Sequence, residues 1–213
     1  MARTNERLLL KEAERLTVDQ ATEETLGGGE IATQAETDAG TDDLRIVTPK
    51  KLANYSGLGA SGTYPYVLIV DSKTAGSEGG TFTQGAWRTR DLNTEVQDDD
   101  ALASISSNQV TLAAGTWYIR ARSAHYNVGH TILRLYNITD AAATALRSTS
   151  GWSLDSNFYD VLEGEITIAS AKAFELQHRC QVTQADSGFG VNGSSSFSVA
   201  EYYSVFEAWR IAS

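Results

Sequence analysis

The residues best suited to touching another molecule fall in the run Ser150 to Tyr159, SGWSLDSNFY. It sets Trp152, Phe158 and Tyr159 beside Asp155 and Asn157. Aromatic faces stack on the C–H surfaces of sugars and suit surface recognition generally, while short polar groups bond hydroxyls. In the competing reading, Trp152 and Phe158 turn inward and close one end of a domain. Two neighbouring segments extend the candidate surface. Tyr126 opens the loop YNVG between His125 and His130, and Phe189 lies in the Gly- and Ser-rich segment Ala185 to Phe197, long enough for a recognition loop.

Catalytic chemistry is harder to assemble. There is no nucleophile elbow, phosphate-cradling glycine loop or zinc spacing, and His125, His130 and His178 lack nearby cysteines. His178 falls on an inward-facing pattern and reads as a hydrogen-bonded core residue. His125 and His130 flank one loop and could meet across a hairpin as a pH-sensitive contact. Asp98, Asp99 and Asp100 are the densest acidic run but lack the ligand order of a calcium loop, so a solvated turn is expected. Glycan cleavage needs two carboxyls roughly 5 to 9.5 Å apart. Asp155, Asp160, Glu163 and Glu165 are available, yet Glu163 and Glu165 alternate with apolar residues like an exposed strand face. The chain therefore reads as a non-enzymatic binding or structural protein with no metal and no cofactor.

Most of these residues must be positioned by strands. From Tyr64 onward, short apolar and β-branched runs are punctuated by Gly, Ser, Asn and Asp, with strands expected over 64–72, 81–90, 103–113, 116–125, 130–138, 144–149, 158–169, 172–183, 196–200 and 202–211. That spacing predicts a C-terminal antiparallel β-sandwich or jelly roll. Along 172–183, Phe174, Leu176, His178, Cys180 and Val182 share the inward face. The last strand is apolar on both sides, with Tyr202 and Phe206 on one and Trp209 on the other. One side needs the opposite sheet and the other a neighbouring subunit, so Tyr202, Phe206 and Trp209 are candidate subunit-interface residues.

Ahead of the sandwich, residues 5–25 read as a short helix whose thin stripe, Leu9, Ala13 and Leu16, requires a partner to bury it. Leu9 and Leu16 join the interface candidates. Three glycines at 27–29 supply a hinge, and 56–62 a second joint. The expected organisation is 1–29 docking or trimerising helix, 30–62 extended stalk and linker, in which Pro49 opens a short helix through Leu52, and 63–213 sandwich.

The net charge of −10, from 17 basic and 27 acidic residues, is spread along the chain. Without a basic stripe, nucleic-acid binding is disfavoured. One cysteine excludes an intrachain disulfide framework and fits synthesis in a reducing cytoplasm. The longest apolar run near the start, Leu8 to Leu10, is far short of a membrane span, so no membrane insertion is expected.

Residues 33–55, TQAETDAGTDDLRIVTPKKLANY, resemble a short motif of phage tail-fibre proteins, with Ala32, Thr33, Ala35, Glu36, Ala39, Gly40, Thr41, Asp42, Val47, Thr48, Pro49 and Leu52 at its anchor positions. A second stretch, Asn108 to Tyr118, NQVTLAAGTWY, resembles the central signature of the tumour-necrosis-factor and complement-head jelly rolls, with Val110, Leu112, Gly115 and Tyr118 matching. Together the resemblances imply a virion protein made in the host cytoplasm: a homotrimeric fibre or tail tip. It would attach to other virion proteins through residues 1–50 and bind a host surface glycan or protein. A purely structural head-fibre, decoration or collar protein is the alternative.

Overall fold

The computed structural model describes residues 31–40, 45–54, 64–193 and 197–213. The chain divides into two units, 1–63 and 64–213. The expected helix over 5–25, with Leu9 and Leu16, and both glycine joints lie outside the described residues.

In the first unit the described part of the fibre-like motif holds two short helices, the second of them where Pro49 was expected to open one and the first in a stretch expected to be extended. Helix α1 is Gln34–Ala39 and helix α2 is Pro49–Ala53. The motif residues are helix punctuation. Thr33 and Glu36 close a reciprocal capping box, Gly40 ends α1 at φ 61°, and Thr48 caps α2 with Pro49 in its first turn. The Gln34 side chain donates to the carbonyls of Lys51 and Asn54, tying the helices together. Ile31 and Ile46 form a parallel bridge.

The second unit is an antiparallel sandwich of twelve strands: β1 Tyr66–Lys73, β2 Arg88–Thr89, β3 Thr94–Asp98, β4 Ala103–Ser106, β5 Gln109–Leu112, β6 Gly115–Tyr126, β7 Gly129–Asn137, β8 Ala142–Arg147, β9 Gly151–Ser153, β10 Asn157–Ile168, β11 Lys172–Cys180 and β12 Glu201–Ala212. One sheet runs β10-β6-β12-β1-β3 and the other β4-β5-β11-β7-β8, with β9 on β7 and β2 on β11. This alternation of chain segments between two sheets is the jelly-roll order. Its apolar core includes Val67, Ile69, Leu112, Trp117, Ile119, Leu133, Leu135, Leu162, Phe174, Leu176 and Phe206.

Several expected strands change. The run 103–113 is a hairpin, because Ser107 and Asn108 both take positive φ, 53° and 64°, and make a two-residue turn between β4 and β5. Only Arg88 and Thr89 of 81–90 form a strand, and 196–200 contributes none among its described residues. β3 and β9 were not expected. Asp98 at the end of β3 accepts the amides of Leu102 and Ala103, so the acidic run is a capped turn.

Register separates the two ends of the sandwich. Tyr66, where the sandwich begins, pairs with Trp209, and Trp209 with Tyr118. Tyr126 pairs with Asn157 at the opposite, distal end, where β9 joins β7 through Trp152 opposite His130. Inward positions change character along this axis. Toward the distal end, Trp117, Ile119 and Ala121 of β6 give way to Ser123 and His125, Leu162 of β10 to Asp160, Leu176 of β11 to His178, and Phe206 of β12 to Ser204, all buried.

Candidate functional site

At the distal end a set of large apolar side chains faces solvent. Trp152 on β9 is 52% exposed, Leu154 after it 63%, and Phe158 and Tyr159 at the start of β10 are 50% and 53%. Leaving such rings in water forgoes about 1.5 to 3 kcal/mol each relative to burial, so a cluster of them at one end is informative. The Trp152 ring meets the His130 ring edge-on at 4.6 Å. Asp155 turns the chain at φ 51° and, with Asn157, is exposed beside these rings. Tyr126 is half-buried and pairs with Asn157 in the ladder. The sequence candidates Trp152, Asp155, Asn157, Tyr159 and Tyr126 are thus gathered at one end; Trp152 does not turn inward, whereas Phe158 shares the inward side of β10 with Asp160 and Leu162 and lies half exposed over the buried His125 ring.

Phe189 does not belong to this surface. It packs against Phe82 at 4.5 Å and under the Arg90 guanidinium at 4.1 Å, while its carbonyl accepts from Arg90 Nη2 at 2.9 Å. The segment that carries it is tied down: Gly79 donates to Gly190, Phe189 to Gly80, and Asn192 to Glu78. Glycine is required at 190, where φ is 129° and a Cβ would lie 2.4 Å from the Tyr203 ring.

Beneath the exposed rings is a buried polar cluster that the sequence reading did not assemble. Asp160 Oδ2 accepts from His178 Nε2 at 2.8 Å, and Oδ1 lies 3.6 Å from His125 Nε2. His125 Nδ1 is 3.0 Å from Ser153 Oγ, which also accepts the Val128 amide at 3.3 Å. Burial alone would raise the Asp160 carboxyl, but the hydrogen bonds it accepts from His125 and His178 outweigh it and hold the group well below the usual carboxylate range. Burial pushes the His178 imidazole down to about 4, with the Asp160 hydrogen bond opposing and Arg90 adding to the depression. His178 Nδ1 has no partner to share a proton with, which also favours the neutral ring.

Ser153, His125 and Asp160 are the residue types of a hydrolytic relay, but Ser153 is fully buried. The imidazoles face separate oxygens of one carboxylate, and no group of three or more His, Cys, Asp or Glu among the described residues could hold a metal ion. His125 therefore meets Asp160 and Ser153, and not His130. The signal lay in alternation: His125 and Asp160 each continue an inward face, as His178 does. Burial also raises the Cys180 thiol to about 11, as fits a core residue.

The outer face of the β10-β6-β12-β1-β3 sheet is the other unusual surface. Tyr66, Trp209 and Tyr118 form an aromatic row across it, with ring centroids 4.9 Å and 6.0 Å apart. Further along, a shallow depression of about 400 Å³ is lined by Arg120, Arg122, Tyr159, Val161, Tyr202 and Val205. Tyr202 and Trp209 thus lie on this outer face. Phe206 does not: it is fully buried in the sandwich core, because even-numbered positions of β12 from 204 to 208 point inward.

No family model matches this chain, and no curated protein matches it in sequence. Among solved structures it is similar to the globular domain of zebrafish complement 1qA protein, at 13% identity and a TM-score of 0.45, covering 69% of this chain and 97% of that one. It is also similar to murine APRIL, at 6% identity and a TM-score of 0.45, covering 68% and 98%.

Proposed function

We propose that this chain is a non-enzymatic phage fibre or tail-tip protein that assembles as a homotrimer and binds a host cell-surface receptor, a glycan or a protein, with the distal end of its sandwich. The observation that carries the reading is the placement of exposed Trp152, Leu154, Phe158 and Tyr159, with Asp155 and Asn157 among them, at the end opposite Tyr66, where the chain enters the sandwich. A fibre tip needs its contact surface at that end. The fibre-like motif supports a virion location, with residues 1–50 as the attachment to other virion proteins.

The outer sheet face supports self-association. It carries Arg120 and Arg122, neither within 4.0 Å of a carboxylate among the described residues, and exposed Glu163 and Glu165 on the adjacent strand, around apolar Val161 and Val205. Such a surface complements a second copy of itself. Three copies on one axis would raise avidity by about 10² to 10⁴ where all three patches engage together.

The test is retention of the full chain on whole host bacteria and on immobilised bacterial surface polysaccharides. Trp152→Ala should weaken retention by roughly 30-fold or more, as expected for a central aromatic contact. Retention unchanged in Trp152→Ala and Asn157→Ala would overturn the receptor reading in favour of a purely structural virion part.

A further inference from the structure

We infer that the buried Asp160–His125–Ser153 chain is a clamp that fixes β9, so that these three are positioning residues for Trp152. The inference rests on the reading of Trp152 as a contact residue. β9 is only three residues long and pairs with β7 at three positions, so its backbone ladder alone holds it weakly. Both chain neighbours of Trp152 are instead gripped from inside. Ser153 is fully buried, with its hydroxyl on His125 Nδ1 at 3.0 Å and the Val128 amide at 3.3 Å. Gly151 lies so close to the cluster that a Cβ there would stand 2.3 Å from Asp160 Oδ1 and 2.6 Å from Thr131 Oγ1.

Trp152 must then point outward, where it meets His130. The same His125 ring stacks beneath Phe158, centroids 6.3 Å apart at 26°, so one imidazole supports two rings of the exposed patch. Asp160 is two residues from Phe158 on β10 and faces His125 Nε2 from the other side at 3.6 Å, beside Thr131 Oγ1 at 3.4 Å. The neutral His178 ring from β11, which donates to it, and the Arg90 guanidinium complete the polar surroundings of that carboxylate. Well-packed apolar residues would hold a sandwich end together equally well, whereas directional hydrogen bonds such as His125 to Ser153 and His178 to Asp160 fix one geometry. A rigid patch loses less freedom on binding.

The test uses the full chain with Ser153→Ala, which removes one hydroxyl, and Asp160→Asn, which removes the charge at constant shape. Each is read in pairs with and without Trp152→Phe, so that the contribution of Trp152 is separated from the other three tryptophans. Amides 151–153 should exchange about tenfold faster or more, and acrylamide should quench Trp152 about twice as readily, while Trp87, Trp117 and Trp209 are unchanged. Exchange and quenching at wild-type levels in Ser153→Ala would overturn the clamp, as would a rise spread evenly over all strands. These readouts need no receptor. A chain that behaves as predicted here yet keeps full retention in Trp152→Ala would refute the receptor reading alone.

Discussion

Asp160 is the residue on which most of the distal chemistry converges, and its removal has a definite sign. Asp160→Asn should destabilise the sandwich by about 2 to 3 kcal/mol, the range for hydrogen bonds to a charged group, measured by denaturant midpoint at constant m. His178 gives a pH dependence. Its folded value of about 4 lies below an unfolded value near 6.5, so the fold keeps it neutral. Stability is therefore full above pH 6.5 and lost as pH falls from 6.5 toward 4, on the order of 3 kcal/mol in all. Asp160, held low, adds a further loss only as pH falls below the ordinary carboxylate value. Urea unfolding from pH 7.5 to 4 should show this slope, and His178→Phe should flatten it; equal slopes in both would contradict the assignment. Phe206→Ala should cost about 3 to 5 kcal/mol as a core truncation, without the selective loss of self-association expected of an interface residue.

At the level of elements, glycines and caps decide local geometry. Gly190→Ala adds a Cβ against the Tyr203 ring at φ 129°, so the 185–193 segment should shift and stability fall by about 2 to 4 kcal/mol in the same unfolding assay. Thr33→Ala should remove about 1 kcal/mol from α1, seen as faster exchange of the Glu36 and Thr37 amides. The sandwich was legible because its long strands, β6, β10, β11 and β12, carry two-residue alternation. β3 was missed since Val96 is the one apolar residue in Thr94–Asp98, and β9 since three residues hold no period. α1 was readable from the Thr33-x-x-Glu36 capping box, which the extended reading of the stalk overlooked. The exposed rings of 152–159 were legible as types, but their support from Asp160, His125 and His178 was not. Those three are 18 to 53 positions apart in sequence, and only strand register brings them together. Phe189 misled because a Gly- and Ser-rich segment can be pinned by backbone hydrogen bonds that composition does not reveal.

The whole molecule carries two surfaces that work together: an outer sheet face suited to a second copy, and a distal aromatic patch that such an assembly would present several times. Tyr202 and Trp209 lie on that face with Arg120 and Arg122. Reversing one charge in its middle, Arg122→Glu, should weaken association while leaving the monomer folded, since the side chain is exposed and outside the core. The central claim is therefore tested most directly by the solution mass of the full chain, measured by light scattering beside that of Arg122→Glu. A trimer gives a mass near three times 23.0 kDa for the wild-type chain, with the variant shifted toward 23.0 kDa at the same concentration. A wild-type mass of 23.0 kDa across the accessible concentration range would contradict it.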